Sequence, residues 1–205
     1  MKKYEFTNET MNYFGRTLYR IRALIEIRDD KSNILVRPGD LGGWVEHEDI
    51  LSHESAAWIY GNAMVCDDTR VCNYAVVCDN AKVFGNAEVF GNAKVCDNAE
   101  VYGDAMVCDD AKVYGDAEVC DKAEIKKSEN FLTIGPIGSR KDITTFFLTK
   151  DNIIKVKCGC FLGTIHEFLS KVESTHGNNK HATVYRLAVE LAKEQIELNP
   201  VDTEY

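Results

Sequence analysis

Three short segments in the last third of the chain carry the residue types that could do chemistry. Gly135-Pro-Ile-Gly-Ser-Arg-Lys-Asp142 is a glycine- and serine-containing loop ending in two cations. Backbone N–H groups at Gly135, Ile137, Gly138 and Ser139 are suited to an anion such as phosphate, and the forked guanidinium of Arg140, beside Lys141, fits the same ligand. The competing reading is a surface turn with solvated charges. His176-Gly-Asn-Asn-Lys-His181 is a second polar loop, whose Lys180 and His181 would add charge to a basic pocket if the two loops converge. Cys158-Gly-Cys160 is the third segment. In the alternation Ile154, Val156, Cys158, Cys160 both thiols fall on an apolar strand face, so buried packing is the plain reading. Zinc with His176 or His181 would need a spacing that is weak for a metal site. These segments are read as a binding site, with no catalytic residue, no resident metal and no cofactor assigned.

The elements that must position these loops are short. Phe131–Ile134, Thr144–Thr149 and Ile153–Cys158 read as strands, with Lys150-Asp-Asn152 as a hairpin turn between the last two. Thr164-Ile-His-Glu167 is a capping box opening a helix with Ile165, Phe168, Leu169 and Val172 on one apolar face, closed near Gly177. A second helix is expected from about Lys180, with Val184, Leu187, Leu191 and Leu198 inward, stopping before Pro200. Residues 127–205 thus form a small α+β domain.

The middle of the chain is a repeat. From Ile59 to Ile125 a branched aliphatic residue falls at every sixth position, and two residues earlier sits a small one, Ala57 through Ala123, broken only by Thr69. Twelve hexads without insertion, three to a coil, predict four coils of a left-handed parallel β-helix over residues 57–126. The chain is therefore mainly β. The residue after each aliphatic one is apolar from Tyr60 to Cys120, and its successor obeys a rule. Every aromatic is followed by Gly, and every Cys by Asp or Asn, types that suit a corner with φ > 0. A ring is expected to need the space of a missing Cβ, and a carboxylate to cap its own turn. Residues 18 apart should stack about 4.8 Å apart. That places Lys82 over Glu100 and Arg70 over Glu88, but also Lys94 over Lys112 and Glu100 over Glu118. Charge pairing therefore does not select the register; the inward Val and Ala ladders do.

Residues 1–56 read as an N-terminal cap and irregular first coil, with a strand over Arg20–Ile27 and Trp44 as the plug of the open end. Gly39, Gly42 and Gly43 could suggest a phosphate loop, but no Lys-Ser/Thr follows to open a helix. On one edge of the repeat Tyr60, Cys78, Cys96 and Tyr114 stack beside Trp58 and Val76, giving a partly apolar outer strip. Such strips mark contacts, so this edge is the candidate oligomer interface. A terminal segment folded over it is the alternative.

Composition narrows the function classes. With 24 Lys+Arg against 33 Asp+Glu the net charge is −9, which argues against broad binding to nucleic acid or an anionic membrane. No apolar stretch approaches a membrane span, and the N-terminus has no apolar leader core. Six of eight cysteines occupy one repeat position, so reduced thiols in a cytosol are expected rather than a disulfide framework.

Gly39-Asp-Leu-Gly-Gly-Trp-Val45 followed by V-(Y/F)-G-(N/D)-A hexads resembles the hexapeptide-repeat proteins of bacteriophages and prophages, and the tail motifs around Gly135, Cys158 and His176 resemble a domain of phage-borne proteins. The resemblance implies the left-handed β-helix, a parallel homotrimer and a bacterial host cytoplasm; it implies no catalytic residues. Enzymes on such solenoids are acyl- or nucleotidyl-transferases with a histidine on an extruded loop, or zinc enzymes with histidines between subunits. Here no histidine occurs between His53 and His166 and no loop interrupts the hexads. The expected function is a non-enzymatic binding protein whose ligand is an anionic, nucleotide-like small molecule or a host protein. A transferase and a virion-associated structural protein are the alternatives.

Overall fold

The computed structural model describes residues 1–29 and 31–199. Strand β1 (Tyr4–Tyr13) and β2 (Arg16–Ala23) form an antiparallel hairpin; β3 (Ile27–Arg28) and β4 (Ile34–Val36) form a smaller one; β5 is Leu41–Val45. Twelve two-residue strands, β6 to β17, run from Trp58–Ile59 to Glu124–Ile125. Then come β18 (Phe131–Ile137), β19 (Asp142–Leu148), β20 (Ile154–Cys158), β21 (Phe161–Thr164), α1 (Ile165–His176) and α2 (Lys180–Gln195).

The hexads build a parallel β-solenoid of about five turns, one more than the uninterrupted repeat gives, because Val45 and Leu51 start two of its three sheets. Registers within the hexads are 18 residues apart, Lys82 pairing with Glu100 and Val77 with Val95, whereas Val45 and Leu51 pair 20 residues on, with Val65 and Val71. Branched chains at each repeat and the alanines two residues earlier are fully buried, as the period requires. Thr69 fills its alanine slot because its hydroxyl donates to the Cys66 carbonyl at 2.9 Å. Lys82 and Glu100 are 2.8 Å apart, while Lys94 and Lys112 lie side by side, so the register tolerates like charges.

Corners follow the Cys/aromatic rule: Asp67, Asn73, Asp79, Asp97, Asp109 and Asp121 have φ from 54 to 63°. An added Cβ at Gly91 would lie 2.8 Å from the Asp109 amide nitrogen. The corner carboxylates act differently from expectation. They reach across to the next coil: Asp67 accepts from the Gly85 N–H at 3.0 Å, and Asp97 from the Gly115 N–H at 2.9 Å. Beside them runs an amide ladder. Asn80 donates to Asn98 and Asn98 to Asp116, at 3.3 and 3.0 Å. Asn86 and Asn92 likewise donate to Asp104 and Asp110.

The N-terminal segment corrects three expectations. The long strand is Arg16–Ala23, shifted from Arg20–Ile27, and it extends one solenoid sheet edgewise through β5. Trp44 is not a plug; it sits at an outward position with the Arg20 guanidinium 5.1 Å from its ring centroid. The open end is covered by Ile21, Ile27 and Val36. Gly42 and Gly43 lack side chains because any Cβ would strike Ile21 or Ile59, a packing role and not a phosphate loop. Trp58, expected on the outer strip, is fully buried: Lys3 and Tyr4 fold over it, with the Tyr4 ring edge-on at 6.3 Å.

At the other end the antiparallel sheet β18–β19–β20–β21 sits across the last coil. Phe131 and Phe147 join the solenoid core, and Thr145 Oγ1 accepts from the Glu118 N–H at 3.1 Å. Lys155 pairs with Asp121 at 2.6 Å and Lys157 with Glu118 at 3.1 Å, placing cations beside the stacked glutamates. The other sheet face packs on the helices through Phe146, Leu148 and Val156. α2 is rotated from the expected phase. Ala182, Tyr185, Ala188, Val189 and Ala192 face inward, whereas Leu187 and Leu191 are 66 % and 53 % exposed and Leu198 is also exposed. Val184 is half-buried. Pro200, expected to end this helix, lies outside the described residues; the helix ends with Ile196 at its C-cap.

Candidate functional site

The β18–β19 hairpin delivers the first anion-binding candidate. Gly138 turns the chain at φ +71°, and its Cα lies so close to the Tyr185 hydroxyl that any side chain would collide with it. The turn thereby leans onto α2, and the next two residues, Ser139 and Arg140, reach a cavity of about 170 Å³.

The cavity's other walls come from β20, β21 and the two helices. Cys158 closes the strand side, where the Thr144 hydroxyl donates to its sulfur at 3.3 Å and the Tyr185 oxygen lies 3.9 Å away. The chain turns at Gly159, φ +55°, so that Cys160 also lines the cavity but is exposed, contrary to the expectation of a buried thiol pair. Phe161 and Phe168 form an apolar floor, their rings 5.4 Å apart. α1 contributes Lys171, Thr175 and His176, spaced so that one helix side carries all three. Its start is fixed by the expected capping box, Glu167 accepting from the Thr164 N–H at 2.7 Å and Thr164 from the Glu167 N–H at 3.3 Å.

The two polar loops therefore converge. His176 lines the cavity opposite Ser139 and Arg140, and the His181 ring lies 5.7 Å from His176. The second loop is held by Asn179, which caps α2 by accepting from His181 and Ala182, and by Arg186, which donates to Asn178 Oδ1 at 3.2 Å and to the Gly177 carbonyl. Gly135, Ile137, Lys141, Lys180 and His181 are near the site in sequence but do not line the cavity. The structure adds Lys171 and Tyr185. Tyr185 was missed with the phase of α2; the signal that could have found it is the small-residue stripe Ala182, Ala188, Ala192 on the inward face.

Burial, the neighbouring Cys158 and the Asp142 carboxylate push the Tyr185 phenol up to about 12. It is a neutral donor at physiological pH. The arrangement thus offers a guanidinium, an ammonium, an imidazole and hydroxyl donors around an apolar floor. At about 170 Å³ the cavity is below the 300–1,000 Å³ usual for drug-sized ligands, and it matches one phosphate or carboxylate group.

On the proposed oligomer edge, Val76, Cys78 and Cys96 are half-buried and Tyr114 is 53 % exposed, its ring edge-on to Phe131 at 5.9 Å. Tyr60 donates to the Leu35 carbonyl at 3.4 Å, so β3 and β4 flank the upper part of this strip. No helix among the described residues is long and apolar enough to cross a membrane.

No protein-family profile and no curated protein matches this chain.

Proposed function

We propose that the protein is a non-enzymatic binding protein in which the solenoid is a rigid scaffold and the C-terminal domain holds a small anionic group. The supporting observation is the convergence of two loops about 40 residues apart on one cavity, Ser139 and Arg140 facing His176, with Lys171 beside them. The guanidinium takes two oxygens of a phosphoryl or carboxylate group, and Lys171 and the neutral Tyr185 and Ser139 hydroxyls complete the shell. A nucleotide-like ligand would insert its phosphoryl end and leave its base outside, given the cavity's size. The finer assignment is a homotrimer joined along the Tyr60–Tyr114 edge, made in the cytoplasm of a phage-infected bacterium and sequestering a defence signal. It rests on the motif resemblance.

A second reading, blockade of a host protein, is favoured by the exposed Leu187 and Leu191 on α2.

Isothermal titration with inorganic phosphate, ATP and a cyclic dinucleotide tests the first reading. Micromolar binding that falls at least about tenfold in Arg140→Ala, one lost charge-assisted pair, is the expected result. Equal affinity in the variant, or no binding of any of the three, overturns it.

A further inference from the structure

We propose that Cys78, Cys96 and Asp79 form a zinc site on one edge of the solenoid. The repeat itself brings them together. Val77 pairs with Val95 in parallel register, so the next residues, Cys78 and Cys96, sit one above the other on neighbouring coils. Asp79 holds the left-handed corner conformation at φ +61°, which turns its carboxylate back to 3.1 Å from the Cys78 sulfur. The two sulfurs and a carboxylate oxygen all lie within 4.8 Å of one another. A tetrahedral ion with Zn–S near 2.3 Å and Zn–O near 2.0–2.2 Å needs ligand atoms about 3.5–3.8 Å apart, so the set is close to assembled before metal arrives.

The other repeat thiols show that this pairing is particular to one stack. Stepping by a coil, Cys66 is followed by Phe84, Tyr102 and then Cys120, while Cys72 and Cys108 flank Phe90. Rings separate the thiols in both of those stacks. Only the third stack, Tyr60, Cys78, Cys96, Tyr114, places two sulfurs next to each other, bracketed by aromatic residues. Two soft thiolates with one carboxylate select zinc over calcium or magnesium. The Asp97 N–H donates to Asp79 Oδ2 at 3.3 Å and orients the carboxylate. In the single chain Asp79 is exposed, which leaves the fourth position open. Binding replaces two S–H bonds by two Zn–S bonds and releases two protons.

The test uses the full chain, reduced and stripped of metal, titrated with Co²⁺ and then Zn²⁺. One Co²⁺ per chain is expected, with a thiolate charge-transfer band and tetrahedral d–d bands that zinc abolishes. Cys78→Ser and Cys96→Ser should each lose the band, and Asp79→Asn should bind on the order of tenfold more weakly. Cys158→Ser with Cys160→Ser should leave the band intact. In the unmutated chain, zinc should protect Cys78 and Cys96 from alkylation, read by peptide mass spectrometry, whatever the folding of the variants. A band retained in Cys78→Ser, protection at Cys158 and Cys160 instead, or no binding at micromolar metal would overturn the site. So would a Cys78–Cys96 disulfide that forms in its place and excludes zinc.

Discussion

Phe146 and Phe147 are consecutive on one strand yet belong to two different hydrophobic cores. Phe147 seals the last coil of the solenoid, and Phe146 packs with its ring edge-on to Phe168 beneath the helices, centroids 6.2 Å apart. Strand alternation alone accomplishes this, since successive side chains leave opposite faces. Phe147→Ala should therefore open a void at the solenoid end and cost about 3–5 kcal/mol. Urea unfolding checks the magnitude. Loss of under 1 kcal/mol would mean that the sheet does not seal the coil.

Two corner glycines separate conformational strain from steric crowding. Gly115 has φ +72° with open space where a Cβ would go, and Gly91 has φ +69° with the next corner's backbone in the way. Gly115→Ala should cost only the left-handed penalty, about 1–2 kcal/mol. Gly91→Ala should cost more, by about 1–3 kcal/mol of forced backbone shift. Equal melting losses for the two would refute the stacking explanation.

Lys3 gives a pH dependence with a definite sign. It is 1 % exposed, its Nζ donates to the Ser55 and Ala57 carbonyls at 2.9 and 2.8 Å, and burial lowers its pKa from 10.5 to about 7. Between those values the unfolded chain binds more protons than the folded one, so this group makes stability rise with pH from about 7 upward. The repeat thiols act oppositely. Burial raises them from 9.0, so above that pH unfolded thiols ionise while folded ones resist, and stability falls. Unmutated protein should thus gain stability from pH 7 to 9, on the order of 1 kcal/mol per unit, and Lys3→Met should flatten that rise. Parallel pH profiles of the two proteins would contradict it.

The phase of α2 is open to a paired test. Leu187→Glu should change stability by less than about 0.5 kcal/mol because the side chain faces solvent. Val189→Ala, fully buried between sheet and helix, should cost about 1–3 kcal/mol. The reverse order would restore the leucine face to the interior.

The solenoid was legible over its twelve hexads because one period of six is repeated until no other fold satisfies it, while the first turn, outside that period, was read only as an irregular coil. Three of the four strands of the C-terminal sheet and the capping box at Thr164 were legible for similar reasons, local alternation and a local hydrogen-bonding signature, whereas the short strand Phe161–Thr164 was not read. What misled was size. Leucines at 187, 191 and 198 outweighed a stripe of alanines, yet a helix pressed close to a sheet seats Ala182, Ala188 and Ala192 and leaves longer chains outside. Trp58 shows the same limit. Its repeat position points outward, and only the fold of a distant segment, Lys3 and Tyr4, decides that outward is still inside. Of the anion-site residues, Ser139 and Arg140 were found from their loop, whereas Lys171 and Tyr185 depend on helix phase and on how β18 and β19 bend toward α2.

The hairpin cap joins the first coil edgewise through β5 and the terminal sheet closes the last, so the coils between behave as a gauge block. Eighteen residues complete one lap and return every strand to its own sheet, as the Lys82–Glu100 pairing shows. Removing residues 85–102, or duplicating them, would move the cavity relative to Phe14 at the hairpin tip by about 4.8 Å. Distance between the two ends is thus encoded as a whole number of laps, a quantity that duplication of a short gene segment can change in a single step.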